Sequence, residues 1–484
     1  MTSLRRQDNY FDGGWVAADT TSTYTVVNPA TGDPVTVIPE TSEAQVDQAV
    51  RAAAEAWRTW RRTNPFKRAG LLHLIGDRVA AAVDAIATEI TVEMGKPLNE
   101  ARGEVRKLAQ AFHFYAEETT RTFGSVVPNA EDGFTSIVQR EPVGVVAAIT
   151  PWNYPVELVG WKLAAALGAG CTIVVKPSEY SPSSAVEVFR CLDEVGLPPG
   201  VANLVLGAGT PGRALASHEL VNKIAFTGSA ATGAAITRSS SGVVPMSMEL
   251  GGSCPLIVTA HADLDAAVTG TVRRSFRNAG QICIAINRAY VHEDLYPAYL
   301  DRLRERIAAL VVGDGMKQPD ADMGPVTNLE ILERCDRHVD DARQQGARVV
   351  TGGGRLEKLA PGYFFEPTVL ADTKQDMLVM HEETFGPLLG VTPFRDLADA
   401  IGAANSTPAG LAAYVYSNDL AETFRLGREL DFGNVAVNNV DAGIMNAPYG
   451  GRKGSGYGYE HGRAGLDGYL QLKHLRIRHG DGHD

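Results

Sequence analysis

Apolar and polar positions alternate through residues 10–38, with turn signals at Gly13-Gly14 and Asn28-Pro29, which predicts short strands. The period then lengthens. Val46, Ala49, Val50, Ala53, Ala54, Trp57 and Trp60 recur at helical spacing behind Ser42 and Gln45, a capping-box pair. A second helix is predicted from near Pro65 to about Met94, stopped by Gly95, and a third from about Asn99 to Thr122. His73 and His113 fall within these amphipathic segments and read as ordinary surface or core residues. Residues 124–142 lose the helical period and read as extended.

The densest alternation of strand and helix follows. Val143–Ile149 is a continuous apolar run of the kind buried on both faces of a parallel sheet. PWNYP interrupts it, a helix reaches Gly168, and Cys171–Lys176 forms the next strand. Ser181-Pro182 supplies an N-cap and a first-turn proline for a helix that stops at Gly196. Ala202–Leu206 and Lys223–Thr227 read as further strands, the second running into GSAATG. Such repetition predicts an α/β fold with a doubly wound sheet and a nucleotide at the carboxyl ends of its strands. After Gly252 a second α/β region begins, with strands near Leu256–Val258, Ala289–His292, Ala412–Tyr416 and Ala436–Asn439, then the glycine-rich APYGGRKGSGYG. The tail after Arg478 reads as disordered.

Composition narrows the function classes. The 484 residues are 44% hydrophobic and 21% charged, enough for two or three globular domains. A formal charge of −12 with no basic stripe argues against nucleic acid as a partner. Five cysteines without CxxC spacing argue against a disulfide framework or a structural zinc site, and no metal is expected. The longest uncharged apolar run, Leu163–Val175, is too short to span a bilayer, and the N-terminus lacks an apolar signal core. These features read as a cytoplasmic protein without a membrane partner.

Candidate chemistry centres on FRNAGQICIAINR, residues 276–288. Cys283 between two isoleucines would ordinarily be a core thiol. A cysteine thiolate attacks carbonyl carbon when a base and an oxyanion donor lie near it. Glu249 in MELGG is a candidate base, and Asn153 in PWNYP a candidate donor beside the Cys283 backbone N–H. The strand end Gly228-Ser229 with Gly233 suits an anion at a helix N-terminus, although it lacks the G-x-G-x-x-G fingerprint. Glu179, after Lys176 and Ser178, could accept from ribose hydroxyls and would repel a 2′-phosphate, favouring NAD over NADP.

Taken together and in order, PWNYP, KPSE, FTGS, ELGG, GQIC and EETFGP make the chain resemble the NAD(P)-dependent aldehyde dehydrogenase superfamily from about residue 10 to 478. The resemblance implies a cofactor domain (1–123 and 143–250), a catalytic domain (251–449), and an oligomerisation arm with a C-terminal return (124–142 and 450–484). A homodimer or homotetramer would follow. It also implies that Cys283 forms a thiohemiacetal with the aldehyde, that Asn153 holds the oxyanion, and that Glu249 activates water against the thioester. Lys162 and Glu460 match proton-relay positions. Ile149, Trp152, Leu250, Gly251, Glu383 and Phe385 match positions around the cofactor. Tyr154, Glu157, Trp161, Ile282, Ile284 and Tyr449 match the substrate tunnel.

FRNAGQ, GKPLNEARGEV and EETFGP most resemble the succinate-semialdehyde dehydrogenase branch. There Arg277, six residues before the nucleophile, would bind a distal carboxylate. Trp161 replaces that branch's second arginine, and Glu157 would repel a carboxylate unless Arg277 neutralises it. The expected substrate is a small polar or anionic aldehyde such as succinate semialdehyde, with a sulfonated short aldehyde or a neutral hydroxyaldehyde such as lactaldehyde as alternatives. A cysteine hydrolase would need a histidine motif that is absent. A CoA-acylating enzyme would usually lack Glu249.

Overall fold

The structure, a computed structural model, describes residues 4–479. Its first large sheet has eight strands in the order Gly456–Tyr457, Met246–Leu250, Lys223–Gly228, Val145–Ile149, Thr172–Lys176, Ala202–Leu204, Asn9–Phe11 and Gly14–Val16. The five strands from Met246–Leu250 to Ala202–Leu204 run parallel. Chain order reverses on either side of Val145–Ile149, so the carboxyl ends of that strand and of Lys223–Gly228 flank a crevice where doubly wound folds bind ligands. The helix Glu157–Ala169 is buried along its whole length, and so is the strand Thr172–Lys176. The apolar run 163–175 is therefore core.

A second sheet of seven strands orders as Arg348–Thr351, Thr368–Ala371, Leu388–Phe394, Ile286–His292, Cys254–Val258, Ala412–Tyr416 and Asn434–Val437. All pairs are parallel except the first. A smaller antiparallel sheet joins Leu470–Arg478 to Phe134–Pro142 and Ser125–Val127. These architectures make the fold α/β, as the sequence implies. Among the described residues no helix is long and apolar enough to cross a membrane.

Several local expectations need correction. The helix expected over 65–94 is two, Pro65–Ala81 and Val83–Met94, because Ala82 leaves the helical basin at φ −95°, ψ 12°. Only half of the expected capping box forms. Ser42 accepts from the Gln45 N–H (3.1 Å), but the Gln45 side chain turns away to donate to the Ala17 carbonyl. Ser181 caps nothing. The helix begins at Ser183, whose N–H (2.9 Å) and hydroxyl (2.5 Å) donate to Glu93, so a carboxylate from another helix does the capping. The strands Arg348–Thr351, Thr368–Ala371 and Leu388–Phe394 had no sequence counterpart. His479, the first residue of the tail, is held by its N–H on the Gly133 carbonyl (2.7 Å), while the rest of that tail lies outside the described residues.

Candidate active site

The Cys283 loop is set by its backbone. Asn278, Ala279 and Gly280 take left-handed φ values of 51°, 54° and 72° in succession, a conformation only glycine adopts freely. A Cβ at Gly280 would strike the Gly386 carbonyl. Gln281 locks the turn: its amide donates to the Asn278 carbonyl (2.9 Å) and its Oε1 accepts from the Thr327 N–H (2.8 Å). Ile282 and Ile284, on either side of the thiol, pack into the apolar core of the second sheet. Cys283 Sγ lies 3.3 Å from the Tyr449 hydroxyl. Burial pushes the thiol up to about 12, with the Tyr449 hydrogen bond pulling the other way, so the resting sulfur is protonated and must lose that proton before it attacks.

Asn153 is 3% exposed, and its side-chain N–H₂ donates to the Gln281 carbonyl (3.0 Å). Its backbone carbonyl receives Lys96 Nζ (2.9 Å) and Asn278 Nδ2 (3.0 Å). Lys96 is itself paired with Glu104, a pair with fully buried side chains. Glu104 Oε1 accepts from the N–H groups of Val156 (3.0 Å) and Glu157 (3.2 Å), holding the start of the following helix. Glu249 is 4% exposed and neither carboxylate oxygen has a hydrogen-bond partner among the described residues. Burial, reinforced by Glu460 and opposed by Lys162, raises its pKa well above the ordinary carboxylate range. Lys162 does not touch the cleft. It is fully buried, bonded to Glu460 and donating to the Thr227 hydroxyl (2.6 Å).

One cleft of about 700 Å³ runs from Cys283, Asn153 and Glu249 to the carboxyl ends of the first sheet. Ile149, Phe226, Ile236 and Leu250 give it apolar walls, and Trp152 and Phe385 meet edge to face at 5.4 Å. Lys176, Ser178 and Glu179 line it, with Lys176 Nζ 3.4 Å from Glu179. Burial lowers the Lys176 pKa, and Glu179 opposes the effect. Gly228 and Ser229 also line it. Gly233 does not: it gives room to the Leu250 side chain, 2.7 Å from where a Cβ would stand. Glu383 faces the cleft and accepts from the Gly252 N–H (3.0 Å), and its carboxylate fills the space a Gly251 side chain would need. Burial pushes Glu383 up to about 7.

The remaining expected substrate residues divide. Trp161 and Tyr449 line the cleft, 5.8 Å apart ring to ring. Tyr154, Glu157 and Arg277 lie outside its lining. Arg277 Nε donates to Glu100 (3.0 Å), which also accepts from the Asn278 N–H (3.2 Å) and the Tyr154 hydroxyl (3.5 Å). The ion-pair partner of Glu157 is Lys107 at 3.7 Å, and Arg277 is paired with Glu100.

The sequence matches the aldehyde dehydrogenase family over residues 15–475. The chain belongs to that family. It is 39% identical over 474 residues to glutarate-semialdehyde dehydrogenase of Pseudomonas aeruginosa, covering 98% of each chain. It is 39% identical over 475 residues to 3-sulfolactaldehyde dehydrogenase of Pseudomonas putida, covering 98% of this chain and 97% of that one. The crystal structure of an E. coli NADP-dependent enzyme superposes with a TM-score of 0.96 at 38% identity, covering 99% of both chains.

This aldehyde dehydrogenase uses NAD(P), and its cleft suits a dinucleotide. The apolar walls would sandwich a flat base, the N-terminus of Ala230–Ser239 would face a phosphate, and two half-buried carboxylates, Glu179 and Glu383, would accept from ribose hydroxyls. Sequence reasoning passed over Arg213 on the same wall, and Lys96, Glu100, Glu104 and Lys107 behind the catalytic loop. The last three recur at helical spacing in NEARGEVRK, and that periodicity was the available signal.

Proposed function

We propose that the chain oxidises a short aldehyde carrying a distal anion, of the succinate- or glutarate-semialdehyde kind, to its carboxylic acid. The observation that carries this reading is the meeting of Cys283, Asn153 and Glu249 at one end of the cleft, with Arg277 fixed by Glu100 behind the nucleophile's loop. Cys283 gives up its thiol proton to solvent in the cleft and attacks the carbonyl carbon to give a thiohemiacetal, a step that does not draw on Glu249. Its oxyanion is held by the second N–H of the Asn153 amide, whose first is spent on Gln281, and by the Cys283 backbone N–H. NAD(P), when bound in the cleft, would accept the hydride released as this adduct becomes a thioester. Glu249 then takes a proton from water as that water attacks the thioester, a role suited to a carboxylate whose pKa is raised by burial. Lys162 and Glu460 carry the proton onward through their buried pair.

Arg277 exchanges Glu100 for the substrate's anion, which a carboxylate or a sulfonate satisfies equally by paired N–H donors. The names of the two Pseudomonas relatives, one a semialdehyde enzyme and the other a sulfolactaldehyde enzyme, support this range. Glu179 favours NAD, because a 2′-phosphate beside it would be repelled. We assign residues 1–123 and 143–250 to the cofactor domain, 251–449 to the catalytic domain, and 124–142 with 450–484 to the arm and C-terminal return. A homodimer or homotetramer is supported by Val126, Leu472 and Leu475, exposed apolar side chains on the strands of the small sheet. The test is kcat/KM for succinate semialdehyde against butanal, in the wild type and Arg277→Ala. The acid should win by about tenfold or more in the wild type and lose that margin in the variant. Equal effects of the substitution on both aldehydes would make Arg277 structural.

A further inference from the structure

Among the described residues the sulfur of Cys283 has one hydrogen-bonding partner, the Tyr449 hydroxyl at 3.3 Å, and that hydroxyl has no second one. Against a thiol either atom can donate. Against a thiolate only the hydroxyl can, because the sulfur has no proton left. Burial, with Cys283 and Glu249 adding to it, raises the Tyr449 pKa well above the ordinary tyrosine value, so the hydroxyl keeps its proton and remains a donor.

The other groups facing the sulfur do not do this work. Glu383 and Glu249 disfavour its negative charge. Arg274 favours it, but its guanidinium is bonded to the Val440 carbonyl and to Asp441. Cys254 and Tyr414 are spent on backbone carbonyls of the same loop, those of Cys283 (3.4 Å) and Ile284 (2.7 Å).

The tyrosine ring is held from several sides. Its backbone N–H donates to the Glu460 carbonyl (2.8 Å), and the Glu460 N–H donates to the Tyr449 carbonyl (2.7 Å). This bridge sets the next residue, His461, beside the tyrosine with ring centroids 5.4 Å apart, and against Trp161 at 4.0 Å. A Cβ at Gly443 would come within 3.1 Å of the Tyr449 ring, so backbone walls the ring there. His461 is 3% exposed, and its backbone stands at φ 61°, ψ 165°, a region that glycine alone occupies freely. Keeping a side chain there costs strain. Its Nδ1 faces the Ile444 carbonyl at 3.2 Å, which fixes the plane of the ring. Burial pushes the imidazole down to about 4 against that hydrogen bond, so it is neutral at neutral pH and contributes shape, not charge.

We propose that Tyr449 is a catalytic residue, the hydrogen-bond donor to the Cys283 thiolate, and that His461 is the positioning residue that holds its ring there. Both roles rest on the reading of Cys283 as the nucleophile. When the thiol proton leaves to solvent and the S–C bond forms, the hydroxyl steadies the thiolate that attacks. When water attacks the thioester and the C–S bond breaks, the sulfur leaves with the bonding pair and the same O–H receives it. The hydroxyl keeps its proton in both steps.

The test is the rate at which iodoacetamide alkylates Cys283 without substrate, from about pH 7 to about pH 9. The other four cysteines are buried, and the mass of the Cys283 peptide confirms the site. Loss of the donor should raise the thiol pKa by about one unit, cutting thiolate about tenfold, while the more basic sulfur recovers about threefold in reactivity. Tyr449→Phe should therefore alkylate about threefold more slowly than the wild type at each pH, with NAD binding by Trp152 fluorescence unchanged. Its kcat/KM for succinate semialdehyde should fall by about the same factor, since the same thiolate attacks the aldehyde. His461→Gly, which removes the ring and suits the backbone, should slow alkylation alike. Added to Tyr449→Phe it should change nothing further, because its effect passes through the hydroxyl. Alkylation of Tyr449→Phe at the wild-type rate overturns the donor, and an additive loss in the double variant overturns the part given to His461. If Tyr449→Phe loses NAD binding, His461→Gly decides alone, and a wild-type rate there overturns the proposal. Alkylation reads the sulfur itself, whereas turnover surviving in Cys283→Ala would strike the nucleophile, so the two failures are told apart.

Discussion

Glu249→Gln separates the two halves of the reaction. Glu249 is 4% exposed, lacks any hydrogen-bond partner among the described residues, and faces a lysine already engaged by Glu460. The amide keeps the shape and removes the base. Acylation of Cys283 and the accompanying hydride transfer should survive as a burst of NADH absorbance in stopped flow. The steady-state rate should fall by about 10²–10⁴-fold, the usual contribution of a positioned base and about 3–5 kcal/mol in barrier. Stability should move the opposite way. A carboxyl whose pKa is raised in the native state holds its proton there after the unfolded chain has released it, so the wild type loses stability as pH rises from the unfolded pKa toward the native one. The glutamine has no such loss. Its Tm should therefore match the wild type near about pH 4 and exceed it at about pH 8. An unchanged steady-state rate, or a burst lost together with it, would remove Glu249 from deacylation. A variant Tm no higher than that of the wild type at about pH 8 would refute the uncompensated burial.

Other outcomes follow from the cleft. Glu179→Gln should narrow the preference for NAD by raising kcat/KM with NADP about tenfold, and an unaltered ratio would dissociate Glu179 from the ribose. Glu383, pushed up to about 7, must be ionised to accept from two hydroxyls, so NAD should bind about tenfold more weakly at about pH 6 than at about pH 8. Trp152 fluorescence reports that binding, and Glu383→Gln should flatten the profile; a wild-type profile already flat would contradict the role. Lys96→Met should lower kcat while sparing NAD affinity, because Lys96 holds the Asn153 backbone and lies outside the cleft lining. Loss of NAD binding would show instead that the substitution disturbs the first sheet.

The parts of this enzyme that were legible in its sequence are those with local signals. The strand at Val145–Ile149 is apolar on both faces, Gly196 ends its helix at φ 76°, and Cys283, Asn153 and Glu249 sit in short motifs whose order is informative. Contacts made across long stretches of chain left no such mark. Glu100 reaches Arg277 from 177 residues away, and Glu93 caps a helix 90 residues on, in place of Ser181. Arg348–Thr351 is an edge strand of four residues with little burial, which leaves its alternation too short to read.

The central claim is that Cys283 carries the substrate. The direct measurement is the mass of the peptide containing Cys283, quenched during the burst of Glu249→Gln with NAD and succinate semialdehyde. The account predicts an acyl adduct on that peptide, in proportion to the NADH formed and absent when Cys283→Ala is added. A full burst with Cys283 unmodified, or an adduct on another cysteine, would contradict it.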